Sequence, residues 1–224
     1  MNENNNTSDD NNNKNNNIIN NINEQNTTNN NIINNINEQN MINNNQKNID
    51  IYRNITRPMS QITNNIYLGN IYDAQNIEKL LGMGIRKVLS LITETELLRY
   101  PPEIEHKLIN IDDFPRQNII QYFGECLNFI KGEEKVFVHC AAGESRSATI
   151  VIAYLMWNKK MTFDKAYNFV KEKRSRIYPN FGFRQQLQKF EKLLFENGFN
   201  ISNIYFRSIK WKASENKNSY FSFY

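Results

Sequence analysis

The chain is poor in the residues that organise metal sites. It has two cysteines and two histidines in 224 residues, and no Cys-x-x-Cys spacing. A zinc site needs about four ligands, so none is expected. No apolar run reaches the roughly eighteen residues of a membrane span, and no apolar leader opens the chain. The formal net charge is only +4, with no dense basic block. That points away from nucleic acid. Without export the compartment is reducing, cytoplasmic or nuclear, and Cys126 and Cys140 are expected as free thiols.

Aromatic residues are absent before Tyr52, and half of residues 1–50 are asparagine. Asparagine competes with the backbone for hydrogen bonds, and such a tract buries too little to offset its ordering entropy. The stretch "NNNIINNINEQN" occurs at 15–26 and again at 29–40. Its spacing equals two heptads, but only Ile18, Ile22, Ile32 and Ile36 would feed a seam, so disorder is expected rather than a coiled coil. The predicted organisation is a low-complexity segment over 1–54, one folded domain over 55–200 and a tail over 201–224.

Within 55–200, strands and helices alternate. "NIYLGNI" (65–71), "IRKVLSL" (85–91), "HKLINI" (106–111) and "KVFVH" (135–139) read as strands. Helices are predicted over 73–84, with Asp73 as N-cap, over 118–132, over 147–158, after a Thr162 cap, and over 181–198. "DDFPRQ" (112–117) reads as a loop. This alternation predicts an α/β fold, a central mainly parallel sheet flanked by helices on both faces. Ligands of such sheets sit beyond the carboxyl ends of strands.

Cys140 sits at one such end. It lies in "HCAAGESRS" (139–147), between a strand and the start of a buried helix. If the backbone of 141–146 curls, its N–H groups converge on one point and the helix dipole adds positive potential. Ala141 and Ala142 leave room, Gly143 permits a positive φ, and Glu144 and Ser145 contribute backbone amides. Arg146 can fork two hydrogen bonds onto phosphate oxygens. The same field favours a thiolate, because a cysteine at a helix N-terminus near a cation ionises more readily. His139 alternates to the other side of the strand and is expected to brace the loop by hydrogen bonding rather than act as a base. Cys126 lies on the apolar face of a predicted helix and reads as a buried structural residue.

The stretch "HCAAGESRSATIVIAYLM" resembles the signature of the dual-specificity branch of the cysteine-dependent protein tyrosine phosphatases. The resemblance extends over about residues 60 to 197. It includes "ITNNIYLGNIYDAQNIEKLLGMGIRKVLSL" (62–91), "NIDDFPRQNIIQYFGECLNFI" (110–130) and "RIYPNFGFRQQLQKFEKLL" (176–194). It implies a phosphatase fold and the roles of four side chains. Cys140 would be the nucleophile, forming a phosphocysteine. Asp113 would be the acid and then the base, Ser147 the hydroxyl that helps the thiolate depart, and Asn180 a support for the loop. Arg146 and the amides of 141–146 would hold the phosphoryl oxygens, with no metal and no cofactor. Glu144 stands where this branch often has an apolar or small residue. Its carboxylate would add negative charge at the rim and argue against inositol lipids and multiply acidic peptides.

The implied activity is hydrolysis of phosphotyrosine and phosphoserine or phosphothreonine in proteins by a monomer, with phosphoproteins as partners and neither nucleic acid nor membrane. Rival readings share the motif. They are a phosphate-binding module without turnover, an RNA, glucan or lipid phosphatase on the same fold, and a sulfurtransferase or arsenate reductase, which would have no role for Asp113.

Overall fold

The computed structural model describes residues 35–45, 58–93 and 98–204. Residues 35–45 form a helix, α1, whose side chains are exposed. Glu38, Gln39 and Met41 interrupt the asparagines and are good helix formers, so the backbone closes local bonds without a buried face. The rest of the Asn-rich segment and the tail from 205 lie outside the described residues.

The domain is built on a five-stranded sheet in the order β1-β2-β5-β3-β4. Its strands are β1 (Ser60–Gln61), β2 (Ile66–Gly69), β3 (Ile85–Ile92), β4 (Glu105–Asn110) and β5 (Lys135–His139). All neighbours are parallel except the edge pair β1 and β2. The short antiparallel β1 has no counterpart among the predicted strands. A two-residue edge carries no periodicity to read.

Alternation along the strands separates two cores, because successive side chains point to opposite faces. Ile66 and Leu68 of β2, Leu89 and Leu91 of β3, and Val136 and Val138 of β5 share one core. Tyr67, Val88 and Phe137 share the other. The larger core is covered by α4 (Phe123–Ile130), α5 (Arg146–Asn158), α6 (Phe163–Lys173) and α7 (Phe181–Glu196). The smaller lies under α2 (Ile71–Gln75) and α3 (Ile77–Gly82). Helix α5 is buried continuously from Arg146 to Met156, so it packs as a central rod beside β5. Among the described residues no helix is long and apolar enough to cross a membrane.

The predicted helix over 73–84 is two short helices. Asn70 caps α2 and Asn76 caps α3, each through its side-chain oxygen. Asp73 is therefore not an N-cap. It is the third residue of α2, and its carboxylate accepts from the Asn70 amide (3.2 Å) to complete a capping box. It also accepts from the Met59 amide (3.1 Å), tying down the strand that leads into the sheet. The predicted helix over 118–132 begins with a 3₁₀ turn at Ile120–Tyr122. There the buried Gln186 of α7 accepts from the Ile120 amide (3.0 Å) and donates to the Gln117 carbonyl (2.8 Å).

Candidate active site

Strand β5 is central, with β2 and β3 on either side, and its carboxyl end delivers Cys140 to the floor of the following loop. The thiol is 1% exposed. Its Sγ accepts from the Gly143 amide (3.2 Å) and from the Ser147 hydroxyl (3.1 Å).

Three carbonyls of this loop are held from outside. Ala141 O accepts from the Ile71 amide (3.1 Å) and Glu144 O from the Tyr178 amide (2.8 Å). Gly143 O accepts from Arg174 Nε (2.9 Å). A trans peptide is planar, with its N–H opposed to its C=O. Carbonyls of 141, 143 and 144 drawn outward therefore turn the amides of 142, 144 and 145 inward, toward one point above Cys140. This is an anion nest. Gly143 makes it possible, with φ +68 and no room for a Cβ against the Gly69 carbonyl.

Arg146 opens α5 and is 8% exposed. Its Nη1 donates to the Ile111 carbonyl (3.0 Å), and its Nε lies 3.7 Å from Asp113 Oδ2. The Nε of Arg146 is buried without a hydrogen-bond partner, so this guanidinium keeps a donor for an oxyanion.

The loop after β4 brings Asp113 to the same place. Its Oδ1 accepts from the Ser145 hydroxyl (2.6 Å) and from Asn180 Nδ2 (2.8 Å). Asp112 is exposed. Asn180 caps α7 by accepting from the Phe183 amide (3.0 Å), so one side chain starts a helix and holds the Asp113 loop. Gly182 lets that loop sit on α7, since a Cβ there would collide with the Pro115 carbonyl.

His139 is fully buried and neutral. Burial pushes its pKa down to about 3, the nearby positive charges acting the same way and its bond to the Cys140 carbonyl opposing them. It braces β5 through Ser90 Oγ (2.6 Å) and the Cys140 carbonyl (3.4 Å). Cys126 is sealed in the larger core, and burial raises its thiol well above the usual range.

The structure thus gathers Cys140, Arg146, Asp113, Ser147, Ser145 and Asn180 around one loop. It departs from expectation at Glu144. That carboxylate does not stand alone at the rim, because Arg176 holds its Oε1 through Nε (2.7 Å) and Nη2 (2.7 Å). The pair cancels the charge that was expected to repel acidic substrates. Arg174, Arg176, Ser90 and Gln186 were not read from the sequence as site residues. Each acts on a group dozens of positions away, and no local pattern marks such a residue. Among the described residues no three His, Cys, Asp or Glu side chains cluster to hold a metal.

This architecture is that of the cysteine-dependent protein tyrosine phosphatase superfamily. Within it the chain belongs to the dual specificity phosphatases, since residues 66–193 match the family described as the dual specificity phosphatase catalytic domain. A probable rhodanese domain-containing dual specificity protein phosphatase of Dictyostelium discoideum is 38% identical over 141 residues, 61% of this chain and 29% of that protein. Dual specificity protein phosphatase 1B of Arabidopsis thaliana is 37% identical over 140 residues, 61% of this chain and 83% of that protein. Among solved structures, the human tyrosine phosphatase-like serine/threonine/tyrosine-interacting protein matches with a TM-score of 0.59 at 33% identity, over 62% of this chain and 99% of that one. The chain spans under a third of the first of these relatives.

Proposed function

We propose that this protein hydrolyses phosphotyrosine and phosphoserine or phosphothreonine in proteins through a phosphocysteine intermediate. One arrangement carries the reading: Cys140 Sγ lies beneath three inward amides, with Asp113 held at the rim by Ser145 and Asn180. Unaided phosphate monoesters hydrolyse extremely slowly. Their transition state is loose and charge-rich, so positioned donors supply most of the catalysis.

The geometry supports the following steps. Cys140, as thiolate, attacks phosphorus while the bond to the leaving oxygen breaks. The amides of 142, 144 and 145 and the Arg146 guanidinium take the equatorial oxygens. Asp113 supplies the proton that the departing oxygen needs. Its Oδ1 is occupied by two donors, so Oδ2, the oxygen beside Arg146, is the one left to deliver that proton. Water then attacks the phosphocysteine, with Asp113 Oδ2 taking its proton. The P–S bond breaks, the Ser147 hydroxyl stabilises the departing thiolate (3.1 Å), and inorganic phosphate leaves.

The test is phosphate release from a phosphotyrosine peptide and a phosphothreonine peptide. Wild-type protein is expected to turn over both. Cys140→Ser is expected to turn over neither while still binding an oxyanion such as vanadate, because a serine hydroxyl is un-ionised at neutral pH. Phosphate release by the Cys140→Ser protein near the wild-type rate would overturn the assignment.

A further inference from the structure

The chain's two histidines meet at one serine. Ser90 Oγ lies 2.8 Å from His106 Nε2 and 2.6 Å from His139 Nε2. Ser90 is on β3, His139 ends β5, and His106 stands half-buried on the edge strand β4. The three residues therefore cross three adjacent strands, from the sheet edge to the strand that carries Cys140.

The direction of these bonds can be derived. A hydroxyl has one proton and two lone pairs, so Ser90 donates to one ring and accepts from the other. The far side of His139 decides which. Its Nδ1 faces the Cys140 carbonyl at 3.4 Å, and a carbonyl only accepts. A neutral imidazole has a single N–H, and the burial described above keeps His139 neutral. The proton is therefore on Nδ1, and Nε2 is bare. Ser90 must donate to His139 Nε2, and its remaining lone pair takes the N–H of His106 Nε2. The Tyr100 oxygen, whose own proton goes to the Ala74 carbonyl (3.1 Å), is a second acceptor beside Ser90, but the bare His139 Nε2 at 2.6 Å takes the Ser90 proton. The Tyr100 ring stands edge-on to His106, with centroids 4.6 Å apart.

We infer that His106 and Ser90 are positioning residues for the nucleophile. They form a one-way hydrogen-bond chain, His106 to Ser90 to His139 to the Cys140 carbonyl, which fixes the tautomer and plane of His139 and thereby the peptide from which Cys140 projects. The Phe137 ring, stacked on His139 at 5.4 Å and 9°, holds the same plane. The role rests on Cys140 as the nucleophile, whereas the polarity of the chain does not.

The polarity is tested without mutation. Full-length protein labelled with ¹⁵N at histidine presents only two imidazoles to assign. Long-range proton–nitrogen spectra are expected to show His139 with its proton on Nδ1 and His106 with its proton on Nε2. A proton on Nε2 of His139 would overturn the chain whatever the activity. The role is tested with Ser90→Ala. It should lose the single His139 tautomer and lower kcat on an aryl phosphate by ~3–10-fold, the size of one net hydrogen bond, with KM little changed. Ser90→Thr keeps the hydroxyl and is expected to restore most of kcat and the tautomer. His106→Phe keeps the ring against Tyr100 but removes the donor, and a smaller loss is expected. Wild-type kcat in Ser90→Ala, with an unchanged rate of Cys140 alkylation by iodoacetate, would overturn the positioning role. Turnover by Cys140→Ser would overturn the nucleophile, and that role with it, while leaving the tautomers as measured.

Discussion

Cys140 and Cys126 are almost equally withdrawn from solvent, at 1% and 0% exposure, yet they differ in what touches the sulfur. Around Cys126 there is apolar core, and burial, helped by the charge of Glu125, holds the thiol protonated. Cys140 accepts two hydrogen bonds at the base of an anion nest. Oxidation follows thiolate character. Mild peroxide is therefore expected to abolish the proposed turnover and thiol reductants to restore it, with Cys126→Ser as sensitive as wild type. Residual turnover of an aryl phosphate measures this, and resistance of the Cys126→Ser protein would move the reactive thiol. The adjacent carboxylates of 112 and 113 diverge in the same way. Both are exposed, but Asp113 is tied to Ser145 and Asn180 and Asp112 is not part of that network. Asp113→Asn is expected to lower kcat on phosphotyrosine peptide by ~10²–10⁴-fold, with a smaller loss on an aryl phosphate whose phenol is already acidic. Asp112→Asn should show neither effect. Reversed behaviour of the two variants would make Asp112 the acid.

At the scale of elements, the site depends on how helix ends meet loops. Helix α7 begins at a side chain that also grips Asp113, and its second residue, Gly182, makes room for the Pro115 carbonyl. The Asp113 loop and α7 are thus one mechanical unit. Gly182→Ala is expected to push the loop outward and lower kcat on phosphotyrosine peptide by ~10-fold or more, or about 1.4 kcal/mol of barrier per tenfold. Vanadate affinity should fall much less than kcat, because Ile71 and Arg174 anchor the nest away from α7, whereas Tyr178 and the Asn180 amide (3.2 Å to Ser145 Oγ) hold it from the α7 entry. Equal losses of vanadate affinity and kcat would show instead that α7 supports the nest itself. The strand, loop and helix around Cys140 were legible in the sequence because they are contiguous. The division of 73–84 into two helices was less so. An asparagine caps a helix only when its side chain finds the free amides of the next turn, and both Asn70 and Asn76 do.

For the molecule as a whole, both cores are composed of residues between Met59 and Ile204. The sheet is covered on its two faces by helices of the same span. Residues 1–50 supply no core residue and no group of the site among the described residues. Deleting them is expected to leave the melting temperature and the turnover of small aryl phosphates unchanged, since chain that buries no apolar surface adds little to stability. A fall of several degrees in thermal denaturation would show that the segment docks on the domain.

The sequence by itself determined the class of fold, the place of Cys140 and the loop around it. These depend on interactions within a few residues: β-prone runs, small residues before a helix start, a glycine free to take a positive φ, and an arginine six positions after the cysteine. Only the tertiary structure decided what faces that loop from elsewhere. Arg174 holds the Gly143 carbonyl across 31 positions, Asn180 reaches Asp113 across 67, and Ser90 reaches His139 across 49. Arg176 neutralises Glu144 across 32, which removes the negative charge that the isolated carboxylate implied. Contacts of this range depend on the order in which parallel strands assemble and on where each crossover helix returns the chain. Residue spacing along a single chain carries no record of either.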